Sequence, residues 1–468
     1  MAAATETNSP NIDLQVFAEL DLGQPIGQLR ALPVQLGAGA PPAVLAVYCA
    51  NFDVDPYVEM FFFPTDTLKL ALFTTDGKLL WKRDLGPGVV PGMWFCPVFA
   101  VDLDGDRIDE IFFVNNTDPQ HPLGVRNYVL ERIDASTGRA TGQWPWPCRD
   151  GAQSLSHLFR NFILAGSVQE NGVRKPVLVT AQGTYESMFL QGFNADLSPR
   201  WEHIIAKGSP GARGSHQCPV VDFDGDGSDE LMWGERNIRV LDGMEVFCAD
   251  REAYRGHSDV IQPVLAPDGR WFFYTCRESD PQADVRVALF DAAGRRVWTA
   301  LDHGHIDMGW VARLGRDREH LAMAIRIGQK VCGPDGRFHT GMEEFTFDAL
   351  TGAPVKLPFS VYRTVPVDFN GDGWHELVRG IASGNGEVLD RHGRVLAQLG
   401  APVALASKFM NRPGEQVLAY YPDGKVRIWG DRRAEDSDFA RARYAHPFYA
   451  ANQRLTSSGS NLGMVAGL

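Results

Sequence analysis

The chain has 468 residues, of which 44% are hydrophobic and 22% charged, and it contains 48 glycines and 29 prolines. This composition excludes an intrinsically disordered chain, and no run approaches the roughly 18 consecutive apolar residues of a membrane-spanning helix. The 45 basic against 58 acidic residues give a formal net charge of -13, which disfavours nucleic acids and anionic membranes as partners. At about 150 residues per domain, the length fits roughly three domains or one large propeller or barrel.

The N-terminus and the cysteines bear on domain limits and on covalent cross-links. The first ten residues are polar and lack the apolar core of a signal peptide. We predict that residues 1–11 form a disordered tail and that residues 12–468 form a single domain. The seven cysteines occur singly, without a Cys-x-x-Cys pair, which argues against a disulfide framework and against a zinc cluster.

One unit recurs along the chain after residues 12–36, a segment that we expect to add a strand that closes a ring. Three copies are nearly identical, at residues 101–111, 221–231 and 367–377, and each combines a D-x-D/N-G-D loop with a following apolar strand. Weaker copies complete the series. Its members begin near positions 51, 102, 167, 222, 264, 313, 368 and 408, a mean spacing of about 51 residues.

A second element follows each copy: an apolar strand, an Asp-x-x-Gly or Asp-Gly turn, and a strand that often carries a tryptophan, as at Trp81, Trp201 and Trp298. Glycine provides the positive φ that a tight hairpin turn requires. Eight units of about four strands, without helical periodicity, predict an all-β fold, an eight-bladed β-propeller. Seven blades remain the alternative, because the unit near residue 167 and the last unit are indistinct.

The D-x-D-G-D loops place oxygen donors at alternate positions, as a hard cation such as Ca²⁺ requires. We predict calcium as a cofactor with a structural role, because an ion would hold each loop and offset carboxylate repulsion. Acidic turns without metal are the alternative. The third loop has one charge fewer and should bind more weakly. The predicted ligands are Asp102, Asp104, Asp106 and Glu110, with Asp109 assisting or replacing Glu110; Asp222, Asp224, Asp226 and Glu230; and Asp368, Asn370, Asp372 and Glu376.

Residues just before each unit should gather at the axial funnel, because the innermost strand of each blade borders it. These peptides are rich in histidine and arginine, although any single histidine among them could be structural. No serine-hydrolase, P-loop, zincin or dinucleotide-binding motif is present, so these reaction classes lack their usual support. The side chains expected to converge are Arg160, Tyr185, Arg213, His216, His257, His303 and His305.

In these motifs the chain resembles the rhamnogalacturonan lyases of polysaccharide lyase family 11, which are calcium-rich eight-bladed propellers. The sequence differs from the family at Gln182, where its R-G-Y-Y motif has arginine, and it lacks both the N-Q-P-P-H element and the family's N-terminal β-domain. We therefore interpret the chain as a divergent relative. The similar segments are residues 79–86 (L-L-W-x-x-D-L-G) with 101–106 (D-x-D-G-D-G), 183–185 (part of R-G-Y-Y), 214–216 (G-N-H) and 256–259 (G-H-G-D).

The resemblance implies β-elimination at a uronic acid linked to rhamnose. This reaction requires a cation near the C5 carboxylate, a base for the C5 proton and an acid for the leaving oxygen. On this interpretation His216 or His257 is the base and Tyr185 is the acid. The cation is provided by Arg213, Arg160 or a calcium ion held partly by Asp259.

The implied partner is an acidic polysaccharide or oligosaccharide, and we expect the protein to act on it as a monomer. Two other classes remain open: a non-catalytic calcium-binding propeller that binds glycan or protein, and a propeller glycoside hydrolase. Calcium loops with few ligands need the millimolar calcium found outside the cytosol. We therefore expect an extracellular or periplasmic, secreted protein whose signal is absent from this chain.

Overall fold

The computed structural model describes residues 12–147, 154–279, 283–381 and 384–468. These residues form eight sheets around a common axis, together with one additional two-stranded hairpin. The eight-bladed β-propeller is therefore confirmed, and the seven-bladed alternative is wrong. The predicted tail at residues 1–11 and Cys148 lie outside the described residues. The six described cysteines are free thiols.

The strands of each blade are antiparallel and follow one another from the axis outwards. The first strand of the chain, β1 (Leu14–Asp21), belongs to the last blade. Blades 1 to 3 consist of β2 (Gln28–Val34), β3 (Ala43–Cys49), β4 (Lys69–Thr74) and β5 (Leu79–Asp84); β6 (Val98–Val101), β7 (Glu110–Asn116), β8 (Tyr128–Asp134) and β9 (Ala140–Pro145); and β10 (Asn161–Glu170), β11 (Val173–Gln182), β12 (Met188–Phe193) and β13 (Pro199–Ile205).

Blades 4 and 5 consist of β14 (Val220–Val221), β15 (Glu230–Trp233), β16 (Arg236–Arg239) and β17 (Glu245–Cys248); and β18 (His257–Leu265), β19 (Trp271–Ser279), β20 (Val287–Asp291) and β21 (Arg296–Ala300).

Blade 6 is irregular, because a hairpin interrupts it between its second and third strands. Its sheet contains β22 (His305–Arg313), β23 (His320–Ile327) and β26 (Glu343–Asp348), and the hairpin, called here the blade 6 hairpin, contains β24 (Gln329–Gly333) and β25 (Gly336–Thr340).

The last two blades complete the ring. Blade 7 contains β27 (Thr364–Val367), β28 (Glu376–Arg379), β29 (Glu387–Leu389) and β30 (Val395–Gln398); blade 8 contains β31 (Val403–Ser407), β32 (Gln416–Tyr420) and β33 (Lys425–Asp431), with β1 as its outermost strand. Leu14 of β1 lies opposite Asp431, and Asp21 lies opposite Lys425. The expectation that residues 12–36 provide a closing strand is therefore confirmed.

Helices are few and short. They are α1 (Leu155–Leu158), α2 (Asp438–Ala445) and α3 (Pro447–Asn452), with 3-10 helices at Val125–Asn127, Gln453–Ser457 and Met464–Gly467. Within the described ranges, no helix is long and apolar enough to cross a membrane.

Burial explains the strand pattern within a blade. All seven residues of β3 are buried, because this strand has neighbouring blades on both of its faces. In the outermost strand β5 exposed and partly buried residues alternate instead. Inner strands therefore appear in the sequence as continuous apolar runs, whereas outer strands are half polar.

The repeated tryptophans join neighbouring blades. The indole Nε1 of Trp201 in blade 3 donates to the carbonyl oxygen of Val240 in blade 4 at 2.8 Å. The ring also packs on Gly243 of the blade 4 turn, where a Cβ atom would lie 2.5 Å from it. Trp81 with Gly138 and Trp298 with Gly352 repeat this arrangement. The turn glycine thus provides both a positive φ and the space for the tryptophan of the preceding blade.

The propeller axis is filled by the C-terminal residues 452–468, called here the axial segment. Its backbone carbonyls and side chains bond to the innermost strands of several blades. Asn452 exchanges hydrogen bonds with Val220, Ser458 accepts one from the amide of Ile163, and the carbonyl of Leu468 accepts one from Arg313. The segment therefore closes the channel that a ring of eight blades would otherwise leave open.

Because successive strands of a blade run in opposite directions, the loops of the propeller lie on two opposite faces. The three D-x-D-G-D loops connect the first and second strands of their blades, and we call that side the lower face. The segments that enter each blade, and those between its second and third strands, lie on the upper face.

The repeat unit predicted to begin near residue 51 is wrong, because it is displaced by one strand relative to the other units. It follows β3 and lies on the upper face, whereas residues 35–42 form the equivalent turn of blade 1.

The contact between tryptophan and glycine predicts the outcome of one substitution. We expect Gly243→Ala to lower the free energy of unfolding by about 1–3 kcal/mol more than Gly172→Ala, because only the former forces a methyl group into Trp201. Gly172 has a similar φ, 78° against 72°, with no atom near its absent Cβ, so the backbone strain is matched. Urea denaturation measures both values, and equal losses would contradict the contact.

Candidate functional site

Histidines from two blades form a hydrogen-bonded chain at the upper face. The Nδ1 atom of His257 lies 3.2 Å from the carbonyl oxygen of Arg213, which can only accept, so this nitrogen carries the proton. The Nε2 atom of His257 is then an acceptor, and Nδ1 of His216 donates to it at 3.3 Å. Neutral His216 therefore has its lone pair on Nε2.

This lone pair faces a carboxylate. Nε2 of His216 lies 3.2 Å from Oδ1 of Asp259, a buried oxygen without a hydrogen-bond partner among the described residues. Burial lowers the pKa of His216 well below its usual value, with a further contribution from nearby His257, and burial raises the pKa of Asp259. Two acceptors at this distance require a shared proton or a cation between them.

The other carboxylate oxygen of Asp259 contacts a second cluster. It lies 3.1 Å from Nε2 of His305, which is also 3.2 Å from a carboxylate oxygen of Asp307. Burial alone would lower the pKa of His305, but its hydrogen bonds to these two carboxylates outweigh burial and raise the pKa to about 10. At neutral pH His305 is therefore cationic while His216 is neutral.

Aromatic rings enclose the histidines. The ring of Trp94 lies 4.8 Å from that of His216, and the ring of Tyr185 lies 4.4 Å from that of His257. The Tyr185 hydroxyl donates to Glu278 at 3.0 Å, and burial raises its pKa well above the usual value, so the phenol keeps its proton. Tyr185 also adopts φ 71°, a strained conformation for a non-glycine residue of the kind often found at functional sites.

Cationic side chains stand beside this cluster. Arg160 is 4% exposed, and its guanidinium lies over the rings of Trp94 and Tyr185. Its Nη2 atom is 3.1 Å from Oδ1 of Asp55, while Nε and Nη1 have no hydrogen-bond partner within the part of the chain that the structure describes. A buried guanidinium whose N–H groups have no partner can donate hydrogen bonds to the carboxylate of a ligand.

The blade 6 hairpin adds three further basic residues, which the sequence analysis missed. Lys330 forms an ion pair with Asp307, Arg337 lies 3.5 Å from Asp55, and His339 lies 3.2 Å from Asp307. The step between the units near 313 and 368 is 55 residues, the same as the step from 167 to 222, so the repeat spacing carries no signal for this insertion. The resulting pocket has a volume of about 150 Å³ and is lined by His216, Asp259, Asp307, Lys330, Arg337, His339, Arg363 and, on its floor, Ser460.

Four of the five predicted catalytic residues, His216, His257, Tyr185 and Arg160, come together here. Arg213 does not bring its guanidinium to them, because that group donates to the backbone carbonyls of Glu186, Ala206 and Ser209. Only the carbonyl oxygen of Arg213 reaches the site, through His257. His303, part of the predicted histidine peptides, is exposed and paired with Asp302.

Several side chains of the cluster fit a divalent cation. One donor atom each from His216, His257 and Asp259 lie within 4.8 Å of one another, and so do donors from Asp259, Glu278 and His305. The unsatisfied Oδ1 of Asp259 agrees with a ligand at this point. Carboxylate oxygens suit Ca²⁺, whereas imidazole nitrogens suit a borderline metal ion such as Zn²⁺.

The three D-x-D-G-D loops of the lower face share one hydrogen-bond pattern. In the first loop Asp102 accepts from the amides of Gly105 and Arg107, and Glu110 accepts from the amide of Leu103. Asp222 with Glu230 and Asp368 with Glu376 repeat this pattern. Asp104, Asp106, Asp224 and Asp226 also cap backbone amides, and each keeps one carboxylate oxygen without such a bond.

The pKa values of two glutamates in these loops are raised. Burial, with help from the neighbouring aspartates, raises the pKa of Glu110 to about 7 and that of Glu230 to about 8. Asp109 does not point to the first loop, because it accepts from the amide of Gln35 in blade 1 and pairs with Arg454 at 2.6 Å. The residue that was expected to assist in this loop therefore joins two blades.

The third loop contains a cation from the protein itself. The guanidinium of Arg443 in α2 lies 3.7 Å from Asp368, and the side-chain amide of Asn370 donates to Asp372 at 2.9 Å. Neither contact has a counterpart in the described part of the first two loops. Arg443 therefore offsets part of the charge that a metal ion would neutralise there.

Comparison with known proteins places these features in context. No protein-family model matches the chain. The rhamnogalacturonan exolyase YesX of Bacillus subtilis (strain 168) is 29% identical over 201 residues, which cover 36% of this chain and 32% of YesX. The rhamnogalacturonan endolyase YesW of the same organism is 26% identical over 265 residues, 50% of this chain and 42% of YesW. The chain thus matches less than half the length of either curated relative.

Solved structures extend the similarity over the whole fold. The crystal structure of the exotype rhamnogalacturonan lyase YesX superposes with a TM-score of 0.73 at 20% identity, covering 95% of this chain and 82% of that chain. A rhamnogalacturonan lyase from Bacillus licheniformis superposes with a TM-score of 0.70 at 19% identity, covering 96% and 80% of the two chains. At such low identity these superpositions establish a shared propeller fold.

The Arg160–Asp55 pair predicts a large stability effect. We expect Asp55→Asn to lower the free energy of unfolding by about 3 kcal/mol, because it leaves the buried guanidinium of Arg160 without its anion. Asp423→Asn is the control, since Asp423 likewise accepts a backbone amide two residues later but is exposed. Urea denaturation of both variants measures the difference, and a loss below about 1 kcal/mol for Asp55→Asn would show that the pair is dispensable.

Proposed function

We propose that this chain, a divergent relative of the rhamnogalacturonan lyases, is a polysaccharide lyase that cleaves a rhamnose–uronic acid linkage in an acidic glycan by β-elimination. The observation that carries the proposal is the pocket in which neutral His216 lies among the cationic side chains of Lys330, Arg337 and nearby Arg160. The names of the curated relatives support the same chemistry.

The basic residues bind the substrate carboxylate. Positive charge next to the C5 carboxylate stabilises the carbanion-like transition state that forms when the C5 proton leaves. Lys330 and Arg337 line the pocket, and Arg160 offers two unpaired buried donors beside it. Lys330, Arg337 and Arg160 thus take the cationic role that was predicted for Arg213 or Arg160.

Proton transfer then needs a base and an acid. When the substrate binds, the proton shared by Nε2 of His216 and Asp259 stays on the Asp259 carboxyl, whose pKa is raised by burial, and Nε2 turns its lone pair to the sugar. Nε2 of His216 then removes the C5 proton, the electron pair forms the C4–C5 double bond, and the bond between C4 and the leaving oxygen breaks. Tyr185, whose high pKa keeps it protonated, gives its proton to that oxygen. His257 is fully buried and both its ring nitrogens are engaged, so it is a positioning residue that fixes the tautomer of His216.

A divalent cation fits beside these groups. When bound by Asp259, Glu278 and deprotonated His305, it would leave Nε2 of His216 free as the base, neutralise the substrate carboxylate and acidify the C5 proton. The chain's own residues still orient the sugar and move both protons.

Substitution of the base tests the assignment. We expect His216→Ala to lower kcat/KM by about 100- to 10,000-fold, the usual contribution of a positioned general base. The readout is the ultraviolet absorbance of the unsaturated uronate released from rhamnogalacturonan. His203→Ala, a change of a half-buried histidine in the outermost strand of blade 3, should leave the rate unchanged.

Other results would select another function. Full activity in His216→Ala would reject the base assignment. Binding of acidic oligosaccharide without any turnover by the unmodified protein would favour a non-catalytic propeller. New reducing ends without an ultraviolet signal would favour a glycoside hydrolase.

We also propose that the first two D-x-D-G-D loops bind Ca²⁺ and that the ions stabilise the fold. Three carboxylates of the first loop, and three of the second, lie close enough to share one ion. Their neutralisation would offset the burial of charge and the carboxylate repulsion that together raise the pKa values of Glu110 and Glu230. The third loop should depend less on calcium, because Arg443 already lies beside it.

Chelation tests this proposal. Calcium at about 100 times its Kd should stabilise the protein by roughly 3 kcal/mol per loop, measured as a rise in Tm over the chelated protein. Asp104→Asn and Asp224→Asn should each reduce this rise. Asp372→Asn in the third loop and Asp423→Asn in an exposed turn of the upper face should not. A rise equally sensitive to all four changes would contradict loop-specific binding.

A further inference from the structure

A second cleft lies on the upper face, away from the histidine pocket. It has a volume of about 210 Å³ and lies between the loop that follows β3 in blade 1 and the loop that follows β7 in blade 2. Its walls are apolar and rigid, and come mainly from Phe61, Phe63, Pro87, Pro122 and Leu123. Phe63 is 75% exposed, an unusual exposure for so large an apolar ring.

The cleft and the histidine pocket share one loop, residues 50–68. This loop pairs Asp55 with the pocket residue Arg337 and with nearby Arg160, and a few residues later it contributes Phe61 and Phe63 to the cleft. Side chains also connect the two places, because Phe61 packs against Phe95, which stacks on Phe159, the neighbour of Arg160 in the chain. The six residues from Asp55 to Phe61 span at most about 22 Å, so an oligosaccharide held in the pocket can reach the cleft.

The two sites differ in chemistry. The lining of the histidine pocket combines Lys330, Arg337 and Arg363 with two aspartates, whereas the carboxylate at the edge of the cleft, Asp66, is already paired with Lys69 at 2.6 Å. The cleft therefore offers aromatic faces and prolines but no free charge that would select a uronate. Flat apolar rings of this kind bind the C–H faces and methyl groups of neutral sugars.

We propose that this cleft is a glycan subsite for a neutral, partly apolar sugar such as a 6-deoxyhexose, one or more units away from the uronate held in the histidine pocket. The inference rests on the proposed function. It adds that affinity for a polymer depends on Phe63, and that a short oligosaccharide which fills only the histidine pocket does not use this contact.

Phe63→Ala tests the subsite. We expect this variant to raise KM for rhamnogalacturonan polymer by about two- to tenfold, the loss of one aromatic stacking contact, with kcat unchanged. KM for a short backbone oligosaccharide should stay the same, and Phe63→Trp should retain the KM of the unmodified protein for the polymer.

Phe338→Ala is the matched control. Phe338 is 49% exposed and lies in β25 between Arg337 and His339, which line the pocket, so strand alternation turns it to the opposite side of the hairpin. An unchanged polymer KM in Phe63→Ala, or an equal rise for the short oligosaccharide or in Phe338→Ala, would overturn the subsite.

Failure of the proposed function is separable from failure of the subsite. If no variant and not even the unmodified protein releases unsaturated product, lyase activity is rejected, and calorimetric binding of the polymer then decides about the cleft. A weaker Kd for Phe63→Ala than for Phe338→Ala would support the subsite, and equal Kd values would reject it.

Discussion

The pairing of β1 with β33 closes a ring from strands that lie more than 400 residues apart in the chain. Every distance in the histidine pocket depends on this closure, because Asp55, Arg160, His216, His257 and Asp307 come from five different blades. The axial segment reinforces the ring from inside, since it bonds to the innermost strands of several blades at once. Side chains from distant parts of the sequence can thus be held to within a fraction of an ångström, which proton transfer requires.

Around this ring, buried polar side chains connect neighbouring blades at an equivalent position in three loops. Asp109, Asp229 and His375 occupy the same position in three loops, and each accepts a backbone amide from the preceding blade. These contacts have a structural role. The cluster around Asp259 differs, because it contains an unsatisfied carboxylate oxygen and lies beside a guanidinium with free donors. We interpret this cluster as a ligand site because the unsatisfied carboxylate oxygen and the free guanidinium donors lie beside one pocket.

Much of the fold was predictable from the sequence, for a physical reason. The repeat of loop and apolar strand fixes the number of blades, and a position just before an innermost strand fixes a residue at the upper face. This is why His216, His257 and Arg160 could be placed together, whereas Tyr185 reaches the same face from the loop that follows β11. The phase of blade 1 was mistaken because Asp53 and Asp55 imitate the acidic spacing of the loops, whereas they lie at the opposite face.

Other features depend on information outside the repeat. The direction of the Arg213 guanidinium follows from three carbonyl oxygens, two in its own loop and one in the loop after β11, which no spacing rule identifies. The blade 6 hairpin is an insertion, so Lys330 and Arg337 have no counterpart in the repeating unit. Arg443 reaches the third loop from a helix beyond the last blade. The monomeric state and the extracellular or periplasmic location remain predictions.

The axial segment also limits the routes by which a ligand can reach the histidine pocket. At its highest point the amide of Ser460 donates to the carbonyl of His216, and Gln217 donates back to Ser460, so the segment seals the base of the histidine pocket. The axis of the propeller is therefore blocked at this point, and the pocket opens at the upper face. Under the proposed function a sugar chain would arrive and depart through the same opening, so the remaining fragment would have to slide or dissociate sideways before the next linkage could enter.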